Sequence, residues 1–121
     1  MPRPPEPTPP PFRRDVWDVT FPRIGTHPAV ALTTNALRGR LSSVTVVLIT
    51  GRPGPSTTHV ELGPSAGLTR YKVSYANVTD VHTVRVARCR TFRGRLTPDE
   101  MALLEDSLAL VLGLPSRPAS R

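Results

Sequence analysis

The sequence predicts a mainly β, α+β domain: a compact β-barrel with one C-terminal helix packed on it. Five to seven short apolar or alternating segments are separated by loops rich in Gly and Pro. Only the segment after Thr97 has the three- and four-residue spacing of an amphipathic helix. There is no internal repeat and no strand–helix alternation of the kind a parallel sheet needs.

The first 12 residues alternate Pro with Arg, Glu and Thr, the composition of a disordered tail. The folded domain is expected over residues 13–114, with 115–121 a flexible tail. Residues 15–21, DVWDVTF, place Trp17, Val19 and Phe21 on one face, as a half-buried strand does. Residues 22–27 read as a short loop in which Pro28 forces His27 into an extended backbone, and 29–33 as a second strand. A turn containing Asn35, Arg38, Gly39 and Arg40 follows, with room for one helical turn.

Residues 42–52, SSVTVVLITGR, hold the strongest apolar run in the chain. Val44 and its successors through Ile49 suit a strand buried on both faces near the middle of a sheet. A GRPGPS loop then leads to an edge strand at 57–62. Residues 71–84 alternate, with Val73, Tyr75 and Asn77 facing one way and Ser74, Ala76 and Val78 the other. A last strand is expected at 88–96. Thr97, Pro98 and Glu100 then supply a hydroxyl N-cap, a first-position proline and a capping-box acid. Met101, Leu104, Leu108 and Val111 form the core-facing stripe, while Leu103 and Leu110 lie off it and suit a dimer contact.

The chain has 121 residues and a formal charge of +7. Four of its nine acids, at 99, 100, 105 and 106, sit in the helix, so residues 1–97 carry 14 basic side chains against 5 acids and the body is more basic still. Polyanions are the partner class this implies. Fifteen of the sixteen basic residues are arginine, which suits bidentate phosphate contact but also follows from a GC-rich gene. Cys89 is the only cysteine, which excludes an internal disulfide and a multi-cysteine zinc site and suits a reducing cytoplasm. No run reaches the roughly 18 apolar residues of a membrane span, and no signal-peptide core is visible.

Thr50 stands where the central strand ends, followed by Gly51 and Arg52. Either it simply terminates the strand, or its fixed hydroxyl and the arginine handle a phosphate. His59 and His82 are surface residues of strands or approach a nucleic acid. The three histidines and one cysteine lack metal-ligand spacing, so no zinc site is expected. Arg85, Arg88, Arg90, Arg93 and Arg95 form a basic cluster suited to backbone phosphates or acidic peptide.

Taken in order, RRDVWDVTF, the G-x-H-P-A-V-A-L block, SSVTVVLITGR, TTHVEL and RGRLTPDEMALLEDSLALVLGL resemble the MazF/PemK (Kid) toxins of type II toxin–antitoxin systems. The resemblance implies a plasmid-maintenance-toxin barrel with an SH3-like core. It further implies a homodimer that cuts single-stranded RNA without metal or other cofactor, and a cognate antitoxin with an acidic C-terminal segment. Thr50 matches the family's catalytic threonine. The family arginine before the proline is His27 here, in GTHPAV.

Three readings follow from that replacement. His27 serves as base or acid, Arg23 or Arg52 supplies the missing charge, or catalysis is lost and a binding protein remains. The catalytic set is therefore Thr50, His27 and Arg52. Arg23, Arg38, Arg52, Asn77 and His82 are expected on the RNA. The short loop at 22–26 and the Ala-Asn-Val-Thr-Asp stretch at 76–80 depart from the family pattern, so its cleavage sequence does not transfer.

Overall fold

The computed structural model describes residues 9–115. The disorder expected of residues 1–8, and the flexibility expected of 116–121, fall outside the described residues. The packed domain begins slightly ahead of residue 13, because Pro11 is buried and the Phe12 ring lies 3.6 Å from the Arg38 guanidinium carbon.

The strands are β1 (Asp15–Phe21), β2 (Gly25–Ala31), β3 (Ser43–Thr50), β4 (His59–Leu62), β5 (Ser74–Arg85) and β6 (Cys89–Arg95), and the helix is α1 (Pro98–Leu112). They form one sheet in the order β4-β5-β3-β2-β1-β6, every neighbouring pair antiparallel. The mainly β, α+β fold with a C-terminal helix is as the sequence predicts, but the barrel is open because β4 and β6 are not paired with each other. The 3-10 turn Pro64–Ala66 packs against β6 instead. Gly94 makes that approach possible, since a Cβ there would run into the Ser65 and Ala66 backbone.

The β-branched run of β3 is buried on both faces because it separates two cores. Val47 and Ile49 join Val16, Val30, Val60, Leu62, Val78, Leu96, Met101 and Leu104 on one side. Val44, Val46 and Leu48 join Val19, Phe21, Ala29, Ala31 and Cys89 on the other. Burial of this kind is worth on the order of 1.5–3 kcal/mol per large side chain before ordering costs are counted.

Several element limits differ from expectation, each for a local reason. Strand β2 starts at Gly25, four residues early, because Pro22, Arg23 and Ile24 form a tight hairpin loop closed by Gly25 at φ +86°. His27 therefore belongs to a strand and not to a loop. Strand β4 starts at His59, since the N–H groups of Thr58 and His59 are held in a turn by the Pro55 carbonyl. Residues Val86–Arg88 form a 3-10 turn, which shortens β6 to start at Cys89.

Helix α1 has the full capping box, with Thr97 accepting from the Glu100 N–H and Glu100 accepting from the Thr97 N–H. Its first two turns bury Met101 and Leu104, and Leu108 packs partly against the same core. Val111, placed by its spacing in the core stripe, is 42% exposed. The helix lies on β4 and β5, and β4 is only four residues long, so the last turns overhang the sheet. Leu110 and Leu112 are 66% and 59% exposed there.

Candidate active site

Strands β2 and β3 are joined at Ala29–Leu48, Val30–Val47 and Ala31–Val46, and the ladder stops at Ala29. The next residue is Pro28, which has no N–H to offer. Continuing that register by two residues would set His27 on β2 opposite Thr50 on β3; in the sheet itself His27 pairs with Val19 and Thr50 with Tyr75. Both belong to the face that carries Ala29 and Leu48, because side chains two residues apart on a strand share a face.

The two side chains are oriented by their own hairpin and loop. The Thr50 Oγ1 accepts a hydrogen bond from the Arg52 N–H at 3.1 Å, which leaves its O–H proton free to donate outward. His27 Nε2 lies 2.9 Å from the Ile24 carbonyl oxygen and so carries the proton of that bond, leaving Nδ1 as the free ring nitrogen. The loop behind Thr50 is clamped at two glycines. The Tyr71 ring lies on Gly51 and the His59 imidazole on Gly54, each so closely that a Cβ would collide with the ring.

On the other side of β3, Thr50 pairs with Tyr75 of β5. Between the Val47–Val81 and Ile49–Ala76 pairs, β3 has one residue and β5 has four, Asn77, Val78, Thr79 and Asp80. This bulge is fixed by Asn77 Oδ1, which accepts from the Thr79 N–H at 3.1 Å and from its hydroxyl at 2.6 Å. Beyond it, His82 Nε2 donates to Asp80 Oδ1 at 2.6 Å. The buried Phe21 ring connects the two histidines, its centroid 6.5 Å from that of His27 and 5.0 Å from that of His82.

The fold thus brings His27, Thr50 and the Asn77 bulge towards one end of the sheet, with exposed Arg23 on the β1–β2 loop and Arg52 after β3, whereas His82 pairs with Val46 in the middle of β3 and meets His27 only through the Phe21 ring. It does not bring Arg38 there. Arg38 precedes β3, whose eight residues span roughly 23 Å at about 3.3 Å per residue. Its Nε donates to the Pro10 carbonyl and its guanidinium covers Phe12, so it holds the N-terminal segment down. Arg93 and Arg95 of the basic cluster are likewise paired, with Asp18 and Asp15.

Sequence reasoning missed Tyr75, Phe21 and Asp80. Asp80 was detectable, because Asp-x-His in a strand puts both side chains on one face. Tyr75 and Phe21 depend on register, which no local motif reveals. Cys89 is fully buried, and burial pushes its thiol up to about 11, so it is packing and not a nucleophile. Among the described residues no three His, Cys, Asp or Glu side chains gather where they could hold a metal ion, and no helix is long and apolar enough to cross a membrane.

These features define a small antiparallel α+β domain with a polar rim at one sheet end. A family model for the PemK-like, MazF-like toxin of type II toxin–antitoxin systems matches residues 12–112, and the chain belongs to that family. A mycobacterial endoribonuclease structure is 28% identical with a TM-score of 0.75, covering 88% of this chain and 95% of that one. A mycobacterial endoribonuclease in complex with its cognate antitoxin is 29% identical with a TM-score of 0.76, covering 88% and 99%. The Mycobacterium tuberculosis toxin MazF-mt6 shares the fold at 22% identity and TM-score 0.76, covering 85% and 100%. No curated protein matches by sequence.

Proposed function

We propose that this chain is a sequence-selective, metal-independent endoribonuclease acting on single-stranded RNA in the cytoplasm, as the toxin of its toxin–antitoxin pair. The observation that carries the reading is the end of the β2–β3 ladder at Ala29, ahead of Pro28, with His27 and Thr50 just beyond it on the same face and the Thr50 O–H free to donate. RNA supplies its own nucleophile. When its 2′-hydroxyl is deprotonated, that oxygen attacks the adjacent phosphorus, and the P–O5′ bond breaks to leave a 2′,3′-cyclic phosphate and a 5′-hydroxyl.

His27 Nδ1 takes the 2′-proton in this scheme. Thr50 donates its free O–H to a non-bridging phosphoryl oxygen as charge builds there, and Arg52 adds positive charge beside it. Arg23, Asn77 and His82 line the approach of the strand. The exposed leucines at the end of α1 suit a homodimer contact, and the basic body suits the acidic C-terminal segment of an antitoxin.

A second reading is a non-catalytic binder of that antitoxin. It is favoured by one observation: the residue before Pro28 is His27, tied to the Ile24 carbonyl, where the MazF/PemK resemblance expects a free arginine. Incubation of the pure protein with long single-stranded RNA in EDTA separates the two. Discrete cuts with cyclic phosphate ends support the nuclease, and intact RNA at high protein concentration supports the binder.

A further inference from the structure

The nuclease scheme above, on which this inference rests, supplies a base but no proton for the departing 5′-oxygen. We infer that the Asp80–His82 pair supplies it, with His82 as the general acid and Asp80 as its positioning residue. Three observations converge on this pair. Among the described residues His82 is the one histidine bonded to a carboxylate, Nε2 to Asp80 Oδ1 at 2.6 Å, whereas His27 is bonded to a neutral carbonyl. An acid begins the step as imidazolium, and the Asp80 carboxylate offsets that charge and fixes the ring, leaving Nδ1–H as the donor.

The pair is also open to solvent, with side chains 36% and 42% exposed, so a substrate can reach it. Finally, the His82 ring lies against the same Phe21 side chain as the base. β3 lies between β2 and β5, and the His27 and His82 rings both contact the single Phe21 ring. Asp80 and His82, two residues apart on β5, share a face just past the Asn77 bulge, which is pinned by its bonds to Thr79.

The step balances. The 2′-hydroxyl proton passes to His27 Nδ1, the 2′-oxygen forms a bond to phosphorus, and the P–O5′ bond breaks. The 5′-oxygen takes the proton from His82 Nδ1. His27 ends charged and His82 neutral, and exchange with water restores both. His59, the remaining histidine, has Nδ1 2.8 Å from the Thr58 hydroxyl and its ring packed on Gly54, so it serves as a loop clamp.

The test compares an ordinary RNA with the same RNA carrying a 5′-bridging sulfur at the scissile phosphate, whose thiolate leaves without needing a proton. His82→Ala is expected to slow cleavage of the ordinary RNA about 100-fold or more while cutting the thio-RNA within a few-fold of wild type. Asp80→Asn should lose about tenfold on the ordinary RNA, be rescued by sulfur in the same way, and shift the 15N signals of the His82 ring. An unchanged rate for His82→Ala on ordinary RNA overturns the assignment, as does an equal loss on both RNAs, which would mark a binding or folding role. His82→Gln with a wild-type melting temperature guards against misfolding. If wild-type protein cuts neither RNA, the nuclease reading itself fails and the acid assignment falls with it. If wild type cuts both and His82→Ala matches it, only the acid assignment fails.

Discussion

The backbone N–H of Arg52 donates to the Thr50 hydroxyl at 3.1 Å, closing a two-residue link between the end of β3 and the loop that follows. This bond decides which way the threonine works. With an Oγ1 lone pair engaged, the hydroxyl has its proton to offer, which fits the proposed role of Thr50 as a donor to phosphate and not as a base.

Replacing Thr50 with Val removes that donor while keeping a β-branched residue in the strand. RNA cleavage should fall by about 10²–10³ with the melting temperature held within a few degrees. Thr50→Ser should keep most activity. Rates on a labelled RNA and a thermal melt of each variant check this.

His27→Ala should cost about 10²–10⁴ in rate if its Nδ1 takes the 2′-proton. His27→Arg discriminates further: a proton carrier is lost and a permanent positive charge takes its place. The present assignment expects a large loss, and retention of the parental rate would show that positive charge alone is required at this position.

Arg38→Ala should leave RNA cleavage within about twofold of wild type while lowering stability by about 0.5–1 kcal/mol through its cation–π contact with Phe12. A drop in RNA affinity with no change in stability would put Arg38 back on the substrate.

Glu100 binds the helix start to the loop after β4. Burial works against its charge. The N–H groups of Gly63 and Thr97 and the Ser65 hydroxyl outweigh that effect and hold its carboxyl below the usual glutamate range. A depressed folded value means stability present above the unfolded value of about 4.3 and lost as pH falls through the folded one. Glu100→Gln should therefore destabilise the domain by about 1 kcal/mol at neutral pH and by less at low pH. Denaturant titrations of the two proteins at pH 7 and pH 3 measure the difference.

Gly94→Ala places a methyl against the carbonyls of Ser65 and Ala66, which are backbone and cannot rotate away. A loss of about 1–3 kcal/mol is expected, with little effect on the chemistry at Thr50. A melting curve beside a cleavage assay tests both halves.

Much of the fold could be read from the chain because local signals and tertiary packing agree. The VTVVLI run of β3 had to be buried on both faces, and Thr97 with Glu100 had to start a helix. What was misread depends on partners distant in sequence. His27 looked like a loop residue until Val19 paired with it, and Val111 looked buried until β4 proved too short to lie beneath it. Thr50 could be singled out from its position after an apolar run. The meeting of His27 and His82 on Phe21 required the register of four strands.

The most direct test of the central claim is the cleavage of a long single-stranded RNA in EDTA by wild-type and Thr50→Val protein, with the fragment ends identified. Discrete wild-type cuts ending in 2′,3′-cyclic phosphate, and their near absence with the variant, are the predicted result. Intact RNA with wild type, or equal cutting by the variant, would contradict it.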